Sequence, residues 1–147
     1  MLSRLYTQFV CGLLFPLHEM LKKHTTVKIR RSLENSQWLD KATLSSQRTM
    51  RLKQFIENVY QQVPYFRNLM ESLDLTPEDI QKVEDLPKLP FLTKSAIKDN
   101  FEQLKSMQAG PLNRFNTGGS SGQPLIFLLG NERVSHDVAE KWRATRW

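Results

Sequence analysis

The chain has 147 residues, of which 39% are apolar, 10% aromatic and 24% charged, which is typical of one folded domain or part of one. This composition excludes disordered, collagen-like and disulfide-stapled proteins. The net charge of +6 is uneven, since residues 1–55 carry ten bases and three acids and residues 56–147 carry eleven and twelve. The imbalance argues against a uniform nucleic-acid surface.

The first 36 residues form an apolar and basic segment. We expect a helix over Leu2–Leu21, followed by a loop that carries the bases of Lys22–Arg31. The apolar run Phe9–Leu17 is too short to span a bilayer, which requires about 20 apolar residues. Two interpretations stay open: a solvated or protein-packed segment, and an arm that contacts the inner membrane face or phosphates.

Cys11 is the only cysteine, so the chain has no internal disulfide and no thiolate zinc site. Its apolar neighbours predict a small buried residue and not a nucleophile. A reducing cytoplasm is the compartment that this cysteine usage favours.

A long amphipathic helix is predicted after residue 51, and Pro64 ends it. Its apolar stripe consists of Leu52, Phe55, Ile56, Val59, Tyr60 and Val63. A short helix over Phe66–Leu73 follows. Thr76 is then expected to cap a brief helix that ends near Val83.

The prolines of Leu86–Leu92 predict an extended connection. Thr93 is expected to cap the next helix, whose apolar positions are Ile97, Phe101 and Leu104. Gly110 and Pro111 end that segment.

Two short strands are predicted at Arg114–Thr117 and Leu125–Leu129, on either side of a Gly/Ser loop. Asn131 is expected to cap a final helix with one face formed by Val134, Val138 and Trp142. The predicted fold class is α/β: a mainly helical N-terminal region leads into a β-hairpin and a helix. Because two strands alone are marginal as a sheet, the pattern resembles the opening portion of a larger α/β protein.

The Gly/Ser loop is the segment most suited to chemistry. Glycines let backbone N–H groups approach phosphate oxygens, and hydroxyl groups donate to them. The candidate phosphate-binding residues are Thr117, Gly118, Gly119, Ser120, Ser121, Gly122 and Gln123. The spacing excludes a Walker A loop and a dinucleotide fingerprint, while a flexible connector stays open as the alternative.

The order Thr117–Pro124 resembles the Thr-Ser-Gly-Thr-Thr-Gly-x-Pro phosphate loop of adenylate-forming enzymes, the acyl-CoA synthetase superfamily. The likeness is closest to phenylacetate-CoA ligase and its CapK-type relatives. It extends over residues 37–147, with further matching stretches at Val63–Phe66, Leu86–Lys94 and Ala139–Arg143. Gly118 replaces the usual Ser, and Gln123 replaces a common Lys, so phosphate neutralisation would depend more on Mg²⁺ and on residues elsewhere.

The resemblance implies an ATP- and Mg²⁺-dependent ligase that converts a carboxylic acid into an acyl-adenylate, with coenzyme A as a co-substrate. Residues 1–36 would be an additional segment, and residues 37–147 the N-terminal part of the large domain, with the remainder expected after Trp147. The isolated chain is then expected to be inactive; a homodimer or the missing part of the enzyme would be its partner. The alternative is a non-catalytic basic protein that binds anionic membrane or nucleic acid.

The remaining candidate groups favour structural roles. Three histidines, His18, His24 and His136, lack metal-ligand spacing and are expected at or near the surface. The aromatic side chains Trp38, Trp142, Trp147, Tyr60, Tyr65 and Phe66 are expected to pack in a core. Arg143 and Arg146 are expected on a charged helix face.

Overall fold

The computed structural model describes residues 2–118 and 124–145, and it shows a mostly helical protein with a small sheet. The helices are α1 (Leu2–Phe9), α2 (Phe15–Leu21), α3 (Thr26–Ser36), α4 (Lys41–Gln62), α5 (Pro64–Ser72), α6 (Lys94–Asp99) and α7 (Asn131–Ala144). Strands β1 (Leu112–Asn116) and β2 (Ile126–Gly130) pair in an antiparallel sheet. The architecture agrees with the coarse α/β prediction.

The described residues form two compact units. The terminal unit comprises residues 2–39, 111–113 and 129–145, and the central unit comprises residues 40–110, 114–118 and 124–128. None of the helices within these ranges combines the length and the apolar character that a membrane span requires.

In the terminal unit, a π-helical turn over Val10–Leu14 joins α1 to α2. The N–H of Phe15 donates to the carbonyl of Val10, five residues earlier. Pro16 has no N–H, and in a regular helix its ring would crowd the carbonyl four residues before it. The wider π turn accommodates the proline, so the predicted helix over Leu2–Leu21 is confirmed with a local irregularity.

The loop predicted for Lys22–Arg31 is wrong, because α3 begins at Thr26. Thr26 is 1% exposed, and the Thr25 N–H donates to Ser135 Oγ of α7 at 3.1 Å. Packing against α7 therefore fixes a helix that the local apolar pattern did not indicate. Ser135 in turn donates to the carbonyl of Asn131 at 2.8 Å.

The start of α7 also differs from its prediction. Gly130 occupies the N-cap position in an extended conformation, and Asn131 is the first helical residue without a side-chain cap. The buried face of α7 centres on Ser135 and Ala139, both 0% exposed, while Val138 of the predicted stripe is 39% exposed. The buried face of α7 therefore lies about one residue further along the sequence than the predicted stripe.

In the central unit, Asp40 is the N-cap of α4, and its Oδ1 accepts the Thr43 N–H at 2.9 Å. The helix ends at Gln62 because the residue before Pro64 avoids the helical region. Ile56, Met70 and Ile80 are at most 4% exposed and form the core, against which Leu52, Tyr60, Leu75 and Leu89 pack. Phe55 of the predicted stripe is 61% exposed, so its assignment to the apolar face is wrong.

The segment after α5 is more helical than its prolines predict. Thr76 occupies the N-cap position, as expected, and its N–H and hydroxyl both donate to Asp79 at 2.8 Å in a capping box, but the helix is a short 3-10 turn over Pro77–Asp79. A second 3-10 helix covers Val83–Lys88, part of the segment that was predicted to be extended. Pro87 fits there because N–H donors at residues 85 and 89 make the turn hydrogen bonds around it.

Candidate phosphate site and adjoining cavity

The described base of the Gly/Ser loop is closed by two hydrogen bonds. The N–H of Thr117 donates to the carbonyl of Leu125 at 3.0 Å, and the N–H of Leu125 donates to Thr117 Oγ1, also at 3.0 Å. Thr117 therefore uses its hydroxyl oxygen as an acceptor, and the hydroxyl group can also donate a hydrogen bond. Its side chain thereby joins the two ends of the loop.

The remaining candidate residues divide into two groups. Gly118 is described and exposed, and a Cβ at this position would meet no atom within 4 Å. The other five candidates lie outside the described residues: Gly119, Ser120, Ser121, Gly122 and Gln123. The predicted phosphate contacts of those five residues therefore stay predictions.

Aromatic packing supports the strands on either side of this loop. The rings of Phe115 in β1 and Phe127 in β2 stack with centroids 6.0 Å apart and an interplanar angle of 19°. Such a cross-strand pair stabilises one register of the two strands. The base of the loop is held by this register as well as by Thr117.

A cavity of about 950 Å³ adjoins the end of the loop, and its walls come from α6, the following turn, β1 and β2. Its apolar lining includes Ile97, Phe101, Leu125, Ile126 and Leu128. Four cationic side chains also line it: Lys94, Lys98, Lys105 and Arg114. None of the described lining residues is acidic, so the cavity combines an apolar floor with positive charge.

Local contacts explain how α6 presents these groups. Thr93 Oγ1 accepts the Ala96 N–H at 3.2 Å and caps the helix, as predicted. The helix ends at Asp99, so Phe101 and Leu104 lie in the turn that follows, not in the helix itself. Lys105 lies 5.1 Å from the Phe101 ring centroid, and its Nζ pairs with Glu102 at 2.7 Å.

The sequence reasoning missed this basic cluster. Lys94 and Lys98 stand one helical turn apart, which was a detectable signal. Arg114 comes from a strand, and only the tertiary structure brings it to the same cavity. Ile97 and Phe101, which were predicted as apolar positions of the helix after Thr93, form part of the cavity lining.

The shifted pKa values belong to Asp40, Tyr60, Asp79 and Asp85, none of which lines the cavity. The Thr43 side chain lowers the pKa of Asp40, and the Thr76 backbone N–H lowers the pKa of Asp79. Desolvation and the adjacent Glu71 carboxylate raise the pKa of Tyr60, whose hydroxyl donates to Glu71 at 3.3 Å. These shifts accompany local hydrogen bonds outside the cavity lining.

The other candidate residues lie elsewhere. His18 is exposed, His24 Nδ1 lies 3.3 Å from Glu19, and His136 Nδ1 lies 3.5 Å from Glu140. Within residues 2–118 and 124–145, no group of three metal-binding side chains occurs.

Two predictions of burial are wrong. Cys11 lies in the π turn and is exposed. Trp38 is 85% exposed in the link between α3 and α4. Trp142 does pack, edge-on to Phe15 with centroids 4.9 Å apart, while Trp147 and Arg146 lie outside the described residues.

Comparison with known proteins relates part of the chain to one class of enzyme. It is 32% identical over 78 residues to the phenylacetate-coenzyme A ligase of Thermus thermophilus, covering 52% of this chain and 18% of that protein. The corresponding ligase of Escherichia coli is 27% identical over 85 residues, which are 56% of this chain and 20% of the relative. That of Aromatoleum evansii is 30% identical over 80 residues, with coverages of 52% and 18%.

The chain is thus phenylacetate-CoA ligase-like over about half of its length, and it spans about a fifth of the length of these relatives. No protein-family model matches it. The relationship confirms the predicted resemblance, and it does not favour the alternative of a non-catalytic basic protein.

Proposed function

We propose that residues 37–147 are the N-terminal part of the large domain of an adenylate-forming ligase, and that their contribution is to bind the polyphosphate of ATP. The observation that carries the proposal is the loop base closed by Thr117 and Leu125, next to a cavity with four cationic side chains and no acidic one in its described lining. The partial similarity to phenylacetate-coenzyme A ligases also supports this proposal.

The proposed reaction begins when a carboxylate oxygen of the acid attacks the α-phosphorus of ATP. An acyl–phosphate bond forms, the bond to the β-phosphate oxygen breaks, and pyrophosphate leaves. In the second step, the thiol of coenzyme A attacks the acyl carbon, its proton passes to a base, and AMP departs. This chain would hold the polyphosphate with loop amides, hydroxyl groups and nearby cations, which stabilise the negative charge that develops on the leaving phosphates.

The described groups at the loop base suit phosphate oxygens better than a bare metal ion. The Thr117 hydroxyl can donate a hydrogen bond to an anion, and Arg114 and Lys94 line the adjoining cavity, whereas Mg²⁺ prefers carboxylate and water oxygens. We therefore expect Mg²⁺ to arrive on the nucleotide, where it neutralises phosphate charge.

Calorimetric titration of the chain with Mg·ATP tests the proposal. Arg114→Gln should weaken binding about tenfold, because a charge-assisted hydrogen bond contributes roughly 1.5 kcal/mol or more. Lys53→Gln removes the same charge from an exposed position on α4 and should leave the affinity unchanged. Thr117→Val should also weaken binding, since it removes both the hydroxyl donor and the acceptor for Leu125.

Further titrations separate phosphate recognition from general charge. Inorganic tripolyphosphate should bind nearly as well as ATP, and adenosine should not bind measurably. Equal losses of affinity in Arg114→Gln and Lys53→Gln would show that the effect depends on net charge alone, and would contradict the proposed site. A kinetic test uses a form of the protein that catalyses ATP–pyrophosphate exchange. Replacement of both Ser121 and Gly122 by alanine should strongly lower its exchange rate, and an unchanged rate would contradict the proposed role of the loop.

A further inference from the structure

The N-terminal helical segment carries exposed apolar side chains at every fourth position. These side chains, the outer row, are Leu5, Phe9, Leu13, Leu17 and Leu21, and each is between 46% and 73% exposed. Tyr6 and Met20 beside them are also more than 60% exposed. An exposed apolar surface of this extent on a helix is typical of a binding surface.

The π turn keeps much of this row on one side. In a regular α-helix each residue turns by about 100°, so a spacing of four drifts by about 40° per step. Over Val10–Leu14 the chain adopts π geometry, with the Phe15 N–H bonded to the Val10 carbonyl. The wider turn winds more slowly and offsets much of the drift. The outer row thus remains a strip along α1 and α2.

A different side of the segment is already packed. The Phe15 ring meets Trp142 edge-on with centroids 4.9 Å apart, and Glu19 is only 6% exposed. These contacts attach the segment to the remainder of the terminal unit. The outer row lies apart from them and stays accessible.

The exposed charge around the row is positive. Exposed bases occur at Arg4, Lys22, Lys23, Lys28 and Arg31. From residue 4 to residue 33 the only acid is Glu19, which is buried and has its Oε1 3.3 Å from His24 Nδ1. A surface that complements this segment must be both apolar and anionic.

We infer that the outer row docks on an anionic lipid surface, with α1 and α2 lying along the membrane plane. Acyl chains would cover Leu5, Leu13 and Leu17, and the long basic side chains would reach lipid phosphates at headgroup level. A second copy of this chain is a poorer partner, since the same cationic segment presents no exposed acid to it. The inference is independent of the proposed phosphate site.

Co-sedimentation with vesicles tests the inference. The chain should bind vesicles of phosphatidylcholine mixed with phosphatidylglycerol at least tenfold more strongly than phosphatidylcholine alone. Leu13→Asp should reduce that binding about tenfold or more, as expected for loss of one buried leucine. Phe91→Asp is the matched control, because Phe91 is 99% exposed in the central unit and should not affect binding.

A second pair of variants tests charge and insertion separately. Joint replacement of Lys22 and Lys23 by glutamine should weaken binding to the anionic vesicles by roughly tenfold or more. A polarity-sensitive fluorophore attached to Leu17→Cys in a Cys11→Ser background should shift to the blue on binding, whereas the same label at Phe91→Cys should not. Circular dichroism of every variant checks that the helices are retained.

Three results would overturn the inference. One is equal binding to neutral and anionic vesicles, and another is binding that Leu13→Asp leaves intact. The third is a concentration-dependent dimer that Leu13→Asp abolishes, without any binding to vesicles. That result would assign the outer row to contact between protein chains.

Discussion

The two compact units bury different kinds of side chain. In the central unit, Ile56, Met70 and Ile80 form an apolar core from segments that follow one another closely in sequence. In the terminal unit, Thr26 of α3 is buried, as are Ser135 and Ala139 of α7, and the Thr25–Ser135 hydrogen bond joins residues 110 positions apart. The central unit depends on apolar burial, and the terminal unit depends in part on a satisfied polar contact.

This difference has a physical consequence for substitution. Replacement of a buried apolar side chain by a smaller one leaves a cavity, and the loss in free energy of unfolding grows with the number of contacts removed. Removal of a buried hydroxyl instead leaves its hydrogen-bond partner unsatisfied. Substitutions in the two units should therefore differ in size and in the segments that they destabilise.

The largest effect is expected from Ile80→Ala in the central unit. Ile80 is 0% exposed, so the substitution should lower the free energy of unfolding by about 3 kcal/mol through lost burial and a residual cavity. Urea unfolding, together with hydrogen exchange of the α4 and α5 amides, measures this decrease in the free energy of unfolding. Val83→Ala, at a nearby side chain 37% exposed, should cost less than about 1 kcal/mol. Equal costs for the two variants would contradict the assignment of the core.

Several elements of the central unit could be predicted from local sequence signals. Helical spacing identified the face of α4 that contains Ile56, and Pro64 identified its end. Thr93 was recognisable as a cap because its hydroxyl can satisfy an N-terminal amide. These signals are local, so they need no knowledge of distant contacts.

The terminal unit and the cavity could be predicted less well. The helical state of α3 accompanies packing against α7, a contact between distant parts of the chain. The cationic lining likewise brings Arg114 of β1 to lysines of α6 and the turn after it. The spacing of Lys94 and Lys98 is a local signal, but neither the contact between α3 and α7 nor the approach of Arg114 has one. The five loop residues from Gly119 to Gln123 lie outside the described ranges.

A smaller effect is expected from Ser135→Ala in the terminal unit. The substitution removes the acceptor of the Thr25 N–H and the donor to the Asn131 carbonyl, and it should cost about 2 kcal/mol. Hydrogen exchange of α3 and α7 amides should locate the loss. Ser32→Ala, at an exposed position of α3, is the control and should change stability little. No difference between these variants would show that the polar contact does not stabilise this unit.

Thr93→Ala should have a local effect of about 1 kcal/mol in the central unit. The hydroxyl of Thr93 satisfies the Ala96 N–H, and alanine leaves that helix end without its cap. Exchange should accelerate at the start of α6 while α4 and α5 retain their protection. The conservative variant Thr93→Ser keeps the hydroxyl and should restore protection. If Thr93→Ser behaves like Thr93→Ala, the cap is not the cause.

The smallest effect concerns pH. The Thr76 N–H and hydroxyl lower the pKa of Asp79 in the folded chain below its ordinary value of 3.8. Its stabilising contribution is therefore fully present above that value and is lost as the pH falls through the lowered pKa. Asp79→Asn should be slightly less stable at about pH 6 and lose less stability than the unsubstituted chain on acidification to about pH 3. The reduction in acid sensitivity should be partial because Asp40 and Asp85 also have lowered pKa values.

Glu78→Gln, one residue away, is the control, and in urea titrations at both pH values it should keep the acid sensitivity of the unsubstituted chain. If Glu78→Gln changed the pH dependence as much as Asp79→Asn does, the effect would be due to net charge and not to the capping box.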